Sequence, residues 1–281
     1  MSIDHQKNLF PDSPLWYIRG GNRTSGLENI EAELVSAFDE DNQDSAFNKL
    51  GIGKGIYVNL AFMNYGNTQL VYLASAGKDK FAVLINQPHT PLGVVKDEFE
   101  NLRALRRIDE RFVVNPLVFV SGRKGHELYV SEYIDNALCI AYFNAHGVFN
   151  PLPVYHFEKF TEDMNSAVDS AMIAMLVRYH SHGRGLGKTE SSGNDFMLTR
   201  DFRMGDTSTV LPNMRLIAAR GWIHSSLDEY LKVLREEFLI GTRRGENDSR
   251  MRVNCKSSSP MTSKDIHRGI DIGMELRVML P

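Results

Sequence analysis

The stretch from Lys80 to Asn136 constrains the fold more than any other, because strand-like and helix-like patterns alternate along it. Lys80-Phe-Ala-Val-Leu-Ile-Asn86 reads as a strand with an apolar centre. Phe99, Leu102 and Leu105 then recur at helical spacing, which predicts a helix over about Lys96–Ile108. A second apolar run covers Phe112–Val120, and the polar Ser121-Gly-Arg-Lys-Gly125 reads as a hairpin turn. Glu127–Ile134 closes the stretch as a strand ahead of the polar Asp135-Asn136. A helix set among hairpin-connected strands places the chain in the α+β class.

Upstream, residues 1 to about 24 are punctuated by Pro and Gly, with Trp16-Tyr-Ile18 as the apolar anchor. Ser25 and Glu28 have capping-box spacing, and Leu27, Ile30, Leu34 and Phe38 form one stripe, so a helix is expected over Leu27–Phe38. The acidic run Asp39–Asp44 reads as a solvated linker. Gly51, Gly53 and Gly55 then lie ahead of Ile56-Tyr-Val-Asn-Leu60. Such glycines either let a backbone approach a phosphate closely or simply turn the chain into a strand. Tyr65-Gly-Asn67 reads as a turn and Thr68–Ala74 as a second strand.

Composition narrows the class of protein. At 281 residues, 42% hydrophobic and 24% charged, the chain can bury a sizeable core in one large or two small domains. Its net charge of -3 gives no bulk attraction to nucleic acid or to an anionic membrane. Cys139 and Cys255 lie far apart and flank no histidine at ligand spacing. That argues against a disulfide framework and a structural zinc, and fits a reducing compartment. No run approaches the ~20 apolar residues of a membrane-spanning helix, no signal peptide is visible, and Ser2 stands where myristoylation needs Gly. The expectation is a soluble, cytoplasmic protein with no membrane partner.

Past Asn136, Ala137–Phe143 suggests a short helix and Asn150-Pro-Leu-Pro153 a loop. Val168, Met172, Met175, Leu176 and Tyr179 predict a long helix over Asn165–Tyr179, its methionines serving as core. Gly185-Leu-Gly-Lys-Thr189 has the end of a phosphate-binding P-loop but not its beginning: position 182 is His, and a helix rather than a strand precedes it. Phe196-Met-Leu198 reads as a strand. Ser226 and Glu229 form another capping box, leading a helix to about Leu239. Gly241–Pro260 is rich in Arg and Ser and reads as a loop that suits a protein partner; without interleaved aromatics it does not suit nucleic acid. Ile266, Ile270, Met274 and Val278 predict a last helix over Ser263–Leu280.

Strand, helix, strand, hairpin, strand is also the order of the small lobe of the protein-kinase-like fold, and these residues resemble it. Glu98-Phe-Glu-Asn-Leu102 is similar to the central helix of that lobe, whose first Glu pairs with a strand lysine. Val113–Val118 resembles the strand that follows, and Tyr129–Ile134 resembles the hinge, whose backbone holds adenine in working kinases. The resemblance covers the small lobe well and the remainder poorly. It implies a bilobal fold: an N-terminal extension with one helix over 1–45, a small lobe with an antiparallel sheet and one helix over 46–136, and a mostly helical large lobe over 137–281.

Carried over by position, the resemblance makes Gly51, Gly53 and Gly55 the cover over a nucleotide, although the spacing is G-x-G-x-G. It makes Glu132 and Ile134 backbone contacts to adenine. The strand lysine is absent: its position, two residues after Ala82, is Leu84. Lys80 is the substitute on the same strand face, and otherwise an exposed turn lysine; Glu98 either pairs with it or is a surface glutamate. In the catalytic loop, Asp195 aligns with the metal-binding Asn, and Glu190 stands at the place of the base, in a loop with neither the family's His nor its Asp. Glu190 and Asp195 are the catalytic candidates, and Asn194, Asp195 and Asp201 the metal candidates. A plain Ser/Gly-rich surface loop is the competing reading. Arg215–Gly221 resembles the L-I-D-F-G run with Ala218 or Ala219 at the aspartate, and Asp201-Phe-Arg203 is a second register.

Two functions follow from this pattern. The first is a pseudokinase, a kinase-like binding, scaffold or regulatory module with a protein partner. The second is an active, divergent ATP-dependent phosphotransferase of the aminoglycoside- or choline-kinase type, or another nucleotidyl or phosphoryl transferase, using ATP and Mg²⁺ on a small molecule or a protein.

Overall fold

A computed structural model describes residues 25–65, 68–122, 125–135, 138–139, 162–183, 185–186, 196–198, 214–219, 222–223, 226–232 and 263–279. These fall into two compact units. The first takes the described residues up to Arg103 and those of Asn115–Tyr133; the second takes Ala104–Val114 and the described residues from Ile134 onward.

The first unit is built on a five-stranded antiparallel sheet. Its strands are β1 (Val58–Tyr65), β2 (Gln69–Ala76), β3 (Asp79–Asn86), β4 (Pro116–Ser121) and β5 (Glu127–Glu132), in the order β1-β2-β3-β5-β4. The period-2 pattern read in the sequence sets which side chains share a face. On the back face Leu70, Tyr72, Ala74 and Ala76 of β2 are buried, together with Val83 and Ile85 of β3, Val118 and Val120 of β4, and Leu128 and Val130 of β5. Helices α1 (Ser25–Ala37) and α2 (Ala46–Lys49) cover that face. The α1 stripe Ile30, Leu34, Ala37 and Phe38 and the α2 residues Ala46 and Phe47 complete one core with it. Burying each large apolar side chain contributes about 1.5–3 kcal/mol before entropy is charged against it.

Helix α3 (Val94–Ile108) supplies Val95, Phe99 and Leu102 as a buried stripe. The Phe99 ring lies 5.8 Å from that of Phe119 and 5.9 Å from that of Tyr129. Tyr129 is the register partner of both Phe119 and Leu84, so these three side chains share the front face, and α3 lies against it. The turn into α3 is pinned to β5: Gly93, at φ 92, donates its N–H to Glu127 Oε2 at 2.8 Å, and Glu127 N donates to Asn86 Oδ1 at 2.7 Å.

The second unit contains β6 (Leu138–Cys139), helix α4 (Glu162–Ser181), the short strands β7 (Gly185–Leu186), β8 (Phe196–Leu198), β9 (Met214–Leu216) and β10 (Trp222–Ile223), and helix α5 (Ser263–Met279). Every α4 residue from Ser170 to Tyr179 is buried, so it is a core helix on all sides rather than an amphipathic one. Helix α5 packs along it through Gly269 and Gly273, where even a methyl group would meet Ser170, Ile173, Ala174 or Val177. Strand β7 pairs with β10, and β6, β8 and β9 form a three-stranded antiparallel sheet.

The helix expected over Ala137–Phe143 is corrected here. Its described residues, Leu138 and Cys139, are a strand paired with Leu198 and Met197. A tertiary edge pairing overrides the local propensity. The capping box at Ser226 takes the expected form: Glu229 N donates to Ser226 Oγ at 3.3 Å, and Ser226 N donates to Glu229 Oε2 at 2.9 Å. The Glu229 carboxyl, accepting from Ser226 N and also from Ser226 Oγ at 2.9 Å, is held below its ordinary range by these two bonds, the backbone one first. The expected continuation to Leu239, the segments around Trp16–Ile18 and Asn150–Pro153, and the Arg/Ser-rich run 241–260 lie outside the described residues. Among the described residues, no helix is long and apolar enough to cross a membrane.

Candidate functional site

The front face of the five-stranded sheet differs from the back. Val71 and Leu73 of β2, and Ala82 and Leu84 of β3, are only half-buried, whereas their back-face neighbours are sealed. Toward one end of this face, under α3, sits a polar cluster. Glu98 on α3 is 1% exposed, and its Oε1 accepts from the Tyr129 hydroxyl at 2.7 Å and from Gln69 Nε2 at 3.2 Å. A buried carboxylate is tolerable only with hydrogen-bond donors of this kind. The expectation of Glu98 as a surface glutamate is therefore corrected: helical phase turns it inward with Phe99 and Leu102.

Lys80 stands elsewhere. It is exposed at the start of β3, opposite Ser75, with its Nζ 5.6 Å from the centroid of the Tyr133 ring. Leu84 stands four positions further on, roughly 13 Å along β3. The fold thus places Lys80 and the Glu98 cluster toward opposite ends of β3. Leu84, at the position that the resemblance gives to the lysine, shares the face of Tyr129 and Val71.

The remaining sequence candidates are placed as follows. Gly51, Gly53 and Gly55 lie between α2 and β1, not in the β1–β2 connection. Gly51 (φ 69) and Gly55 (φ 78) turn the chain into β1, and Gly55 N donates to Glu40 Oε2 at 2.9 Å. Glu132 ends β5 with its N–H donated to Asn115 O at 2.9 Å and its Oε1 accepting from Asn115 N at 2.9 Å. Ile134 follows it, half-buried. Ala218 and Ala219, just after β9, are buried. Glu190, Asn194, Asp195 and Asp201 lie outside the described residues.

Sequence reasoning missed Gln69 and the role of Tyr129. Both reach Glu98 only through cross-strand register, 29 and 31 residues away in the chain. It also missed a charged hub at the loop after α3, wholly within the second unit. Asp109 Oδ2 is 3.2 Å from Arg178 Nε, with side-chain exposures of 13% and 8%. Burial pushes the Asp109 carboxyl above its ordinary range, and Arg178 opposes that shift. The carbonyls of the same loop accept from two further arginines: Arg106 bonds Glu110 O and Val113 O, and Arg215 bonds Glu110 O and Arg111 O.

The Glu98 cluster gives a first test. Tyr129→Phe removes one donor to a buried carboxylate and little volume, so stability in urea should fall by about 1–3 kcal/mol. A loss below ~0.5 kcal/mol, the level of a neutral surface change, would show that the hydroxyl does not hold Glu98.

No protein-family model and no curated protein sequence matches the chain. Among the solved structures similar to it are a kinase domain and a pseudokinase complex. The BubR1 kinase domain is 14% identical with a TM-score of 0.39, over 60% of this chain and 49% of that one. This chain therefore spans about half the length of that protein's solved chain. A complex of Neurospora crassa PAN2 (WD40-CS1) with PAN3 (pseudokinase and C-term) is 12% identical with a TM-score of 0.40, over 92% of this chain and 70% of that one. These likenesses are loose. The functional reading rests on the chain's own strand order and side chains.

Proposed function

We propose that this chain is a pseudokinase, a kinase-like binding module that engages a protein partner and lacks the groups for phosphoryl transfer. The observation that carries the reading is Glu98. The glutamate that in working kinases pairs with a strand lysine is here held by a tyrosine hydroxyl and a glutamine, on a sheet face where the lysine position is Leu84. The order β1-β2-β3-β5-β4 supports the kinase-like fold, with a helix between β3 and β4 and a long helix ahead of short strand pairs. The bilobal arrangement belongs to this proposal.

Phosphoryl transfer depends on positioning and on neutralising charge with lysine and Mg²⁺. Leu84 offers no cation to a phosphate, and Ala218 and Ala219 offer no oxygen to a metal. Among the described residues, these positions support the reading of a site without a triphosphate–metal complex. The half-buried Leu73 and Ala82 suit instead the flat face of an apolar or aromatic ring. On this reading the fold outlasts its chemistry.

The direct test is turnover of ATP labelled at the γ-phosphate, with Mg²⁺ or Mn²⁺. The expected result is neither hydrolysis nor transfer above the uncatalysed level. Turnover that disappears in Asp195→Ala would turn the reading toward the active phosphotransferase, with Asp195 as its metal ligand.

A further inference from the structure

We propose that the open edge of β1 pairs with the same strand of a second copy of this chain, antiparallel about a two-fold axis at Leu60. The proposal stands on the sheet order and does not depend on the pseudokinase reading.

The five-stranded sheet ends on β1 at one side and on β4 at the other. An edge strand presents unpaired N–H and C=O groups, and proteins usually guard it with charge, proline, a bulge or a covering element. The β4 edge is guarded. It begins at Pro116, its register shifts between Pro116 and Val118, and α2 lies beside it. The β1 edge is not. Among the described residues, the backbone of Val58–Tyr65 hydrogen-bonds only to β2, so alternate N–H and C=O groups face outward. No charged residue and no proline stands between Ile56 and Tyr65. The one register shift, between Phe62 and Asn64, falls late in the strand and leaves Val58–Phe62 regular.

Apolar side chains gather at the same edge. Tyr57 is 55% exposed and Ile56 41%, immediately ahead of the strand. Among the described residues, the other exposed large hydrophobic side chain is Leu92. Phe62 and Met63, further along β1, are half-buried.

The pattern of the strand selects a second copy as the occupant. A two-fold axis sets one strand against itself, so any charge on it would meet its like across the axis. Strand β1 carries none. With the axis at Leu60, midway along the regular segment, Val58 faces Phe62 of the second copy and Asn59 faces Ala61. Tyr57 then covers Met63 of the second copy. Val58, Leu60 and Phe62 belong to the back-face core, so pairing makes the two cores continuous. A single strand pair buries less than the ~1,600 Å² of a standard interface, which makes the dimer weak and concentration-dependent.

The test is sedimentation equilibrium of the whole chain from micromolar to millimolar concentration, with amide hydrogen exchange at both ends of that range. The expected result is a monomer–dimer equilibrium, with slower exchange of β1 amides at the higher concentration. Asn59 is exposed, so charge can be placed there without disturbing the core. Asn59→Lys should weaken association about tenfold, because its two copies stand diagonally across the axis, about 7–8 Å apart. Asn59→Glu should do the same. An equimolar mixture of the two variants should recover the wild-type affinity to within about threefold, since opposite charges then meet. A folding defect would not be cured by mixing. A monomer at every concentration, or a mixture no tighter than either variant alone, would overturn the proposal. So would β1 amides equally protected at both concentrations, which would mean that another segment covers the edge. Dimerisation that leaves β1 exchange unchanged would place the interface elsewhere and overturn it too.

Discussion

Arg178→Met is expected to lower the unfolding free energy by about 3–5 kcal/mol, a large part of what a domain of this size holds. Methionine keeps much of the apolar stem, so the loss reflects charge rather than volume. It leaves Asp109 buried without the guanidinium 3.2 Å away. The pH dependence separates this cause from a packing defect. Burial already raises the Asp109 carboxyl above its ordinary range, against the pull of Arg178. A raised carboxyl means that the folded state binds the proton more tightly than the unfolded chain. Its contribution is therefore complete below the ordinary carboxylate range, near pH 4, and is lost as pH rises through the raised value. Without Arg178 the rise grows, so the variant should approach wild-type stability in acid and fall away from it toward neutral pH. Adding Asp109→Asn should flatten that fall. Urea melts from pH 4 to pH 8 read both effects, and parallel profiles for wild type and variant would contradict them.

Gly269→Ala should cost about 2–3 kcal/mol, against the usual sense of such a change. In an exposed helix, replacing Gly by Ala gains up to about 1 kcal/mol. Here the added Cβ would stand 2.5 Å from Ser170 O and 2.6 Å from Ile173 Cβ. One obstacle is backbone and the other a β-branched carbon, so neither can rotate aside. Helices α4 and α5 would have to separate, loosening a core in which residues 170 to 179 are all buried. Equilibrium urea unfolding decides the sign, and a stabilised Gly269→Ala would show that the helices do not approach so closely.

The parts of the fold legible in the sequence are those with long, regular patterns. Apolar runs bounded by polar turns found β2, β3, β4 and β5, and the 3.6-residue period found α1, α3, α4 and α5, because each buries one face or a whole segment in a core. The Ser226–Glu229 capping box was readable because its bonds join residues three apart. The short strands β6, β7, β9 and β10 have two or three residues each, too few to carry a period. That is why Leu138 and Cys139 read as helix. The Glu98 cluster was half legible. A glutamate at that helix position stood out, but its partners follow from register across β2, β3 and β5, which no local pattern encodes. Asp109 and Arg178 were invisible for the same reason, an ion pair between residues far apart in the chain.

In the pseudokinase that we propose, the kinase-like sheet face no longer uses metal and phosphate. Thermal unfolding with ATP, in the presence and absence of Mg²⁺ and Mn²⁺, tests it most directly. A ligand that binds only the folded state raises the midpoint as RT ln(1 + [L]/Kd), a few degrees at saturation. The expected result is that metal makes no difference: the midpoint with ATP and Mg²⁺ or Mn²⁺ equals that with ATP alone. A metal-dependent rise with ATP that is abolished in Asp195→Ala would contradict it.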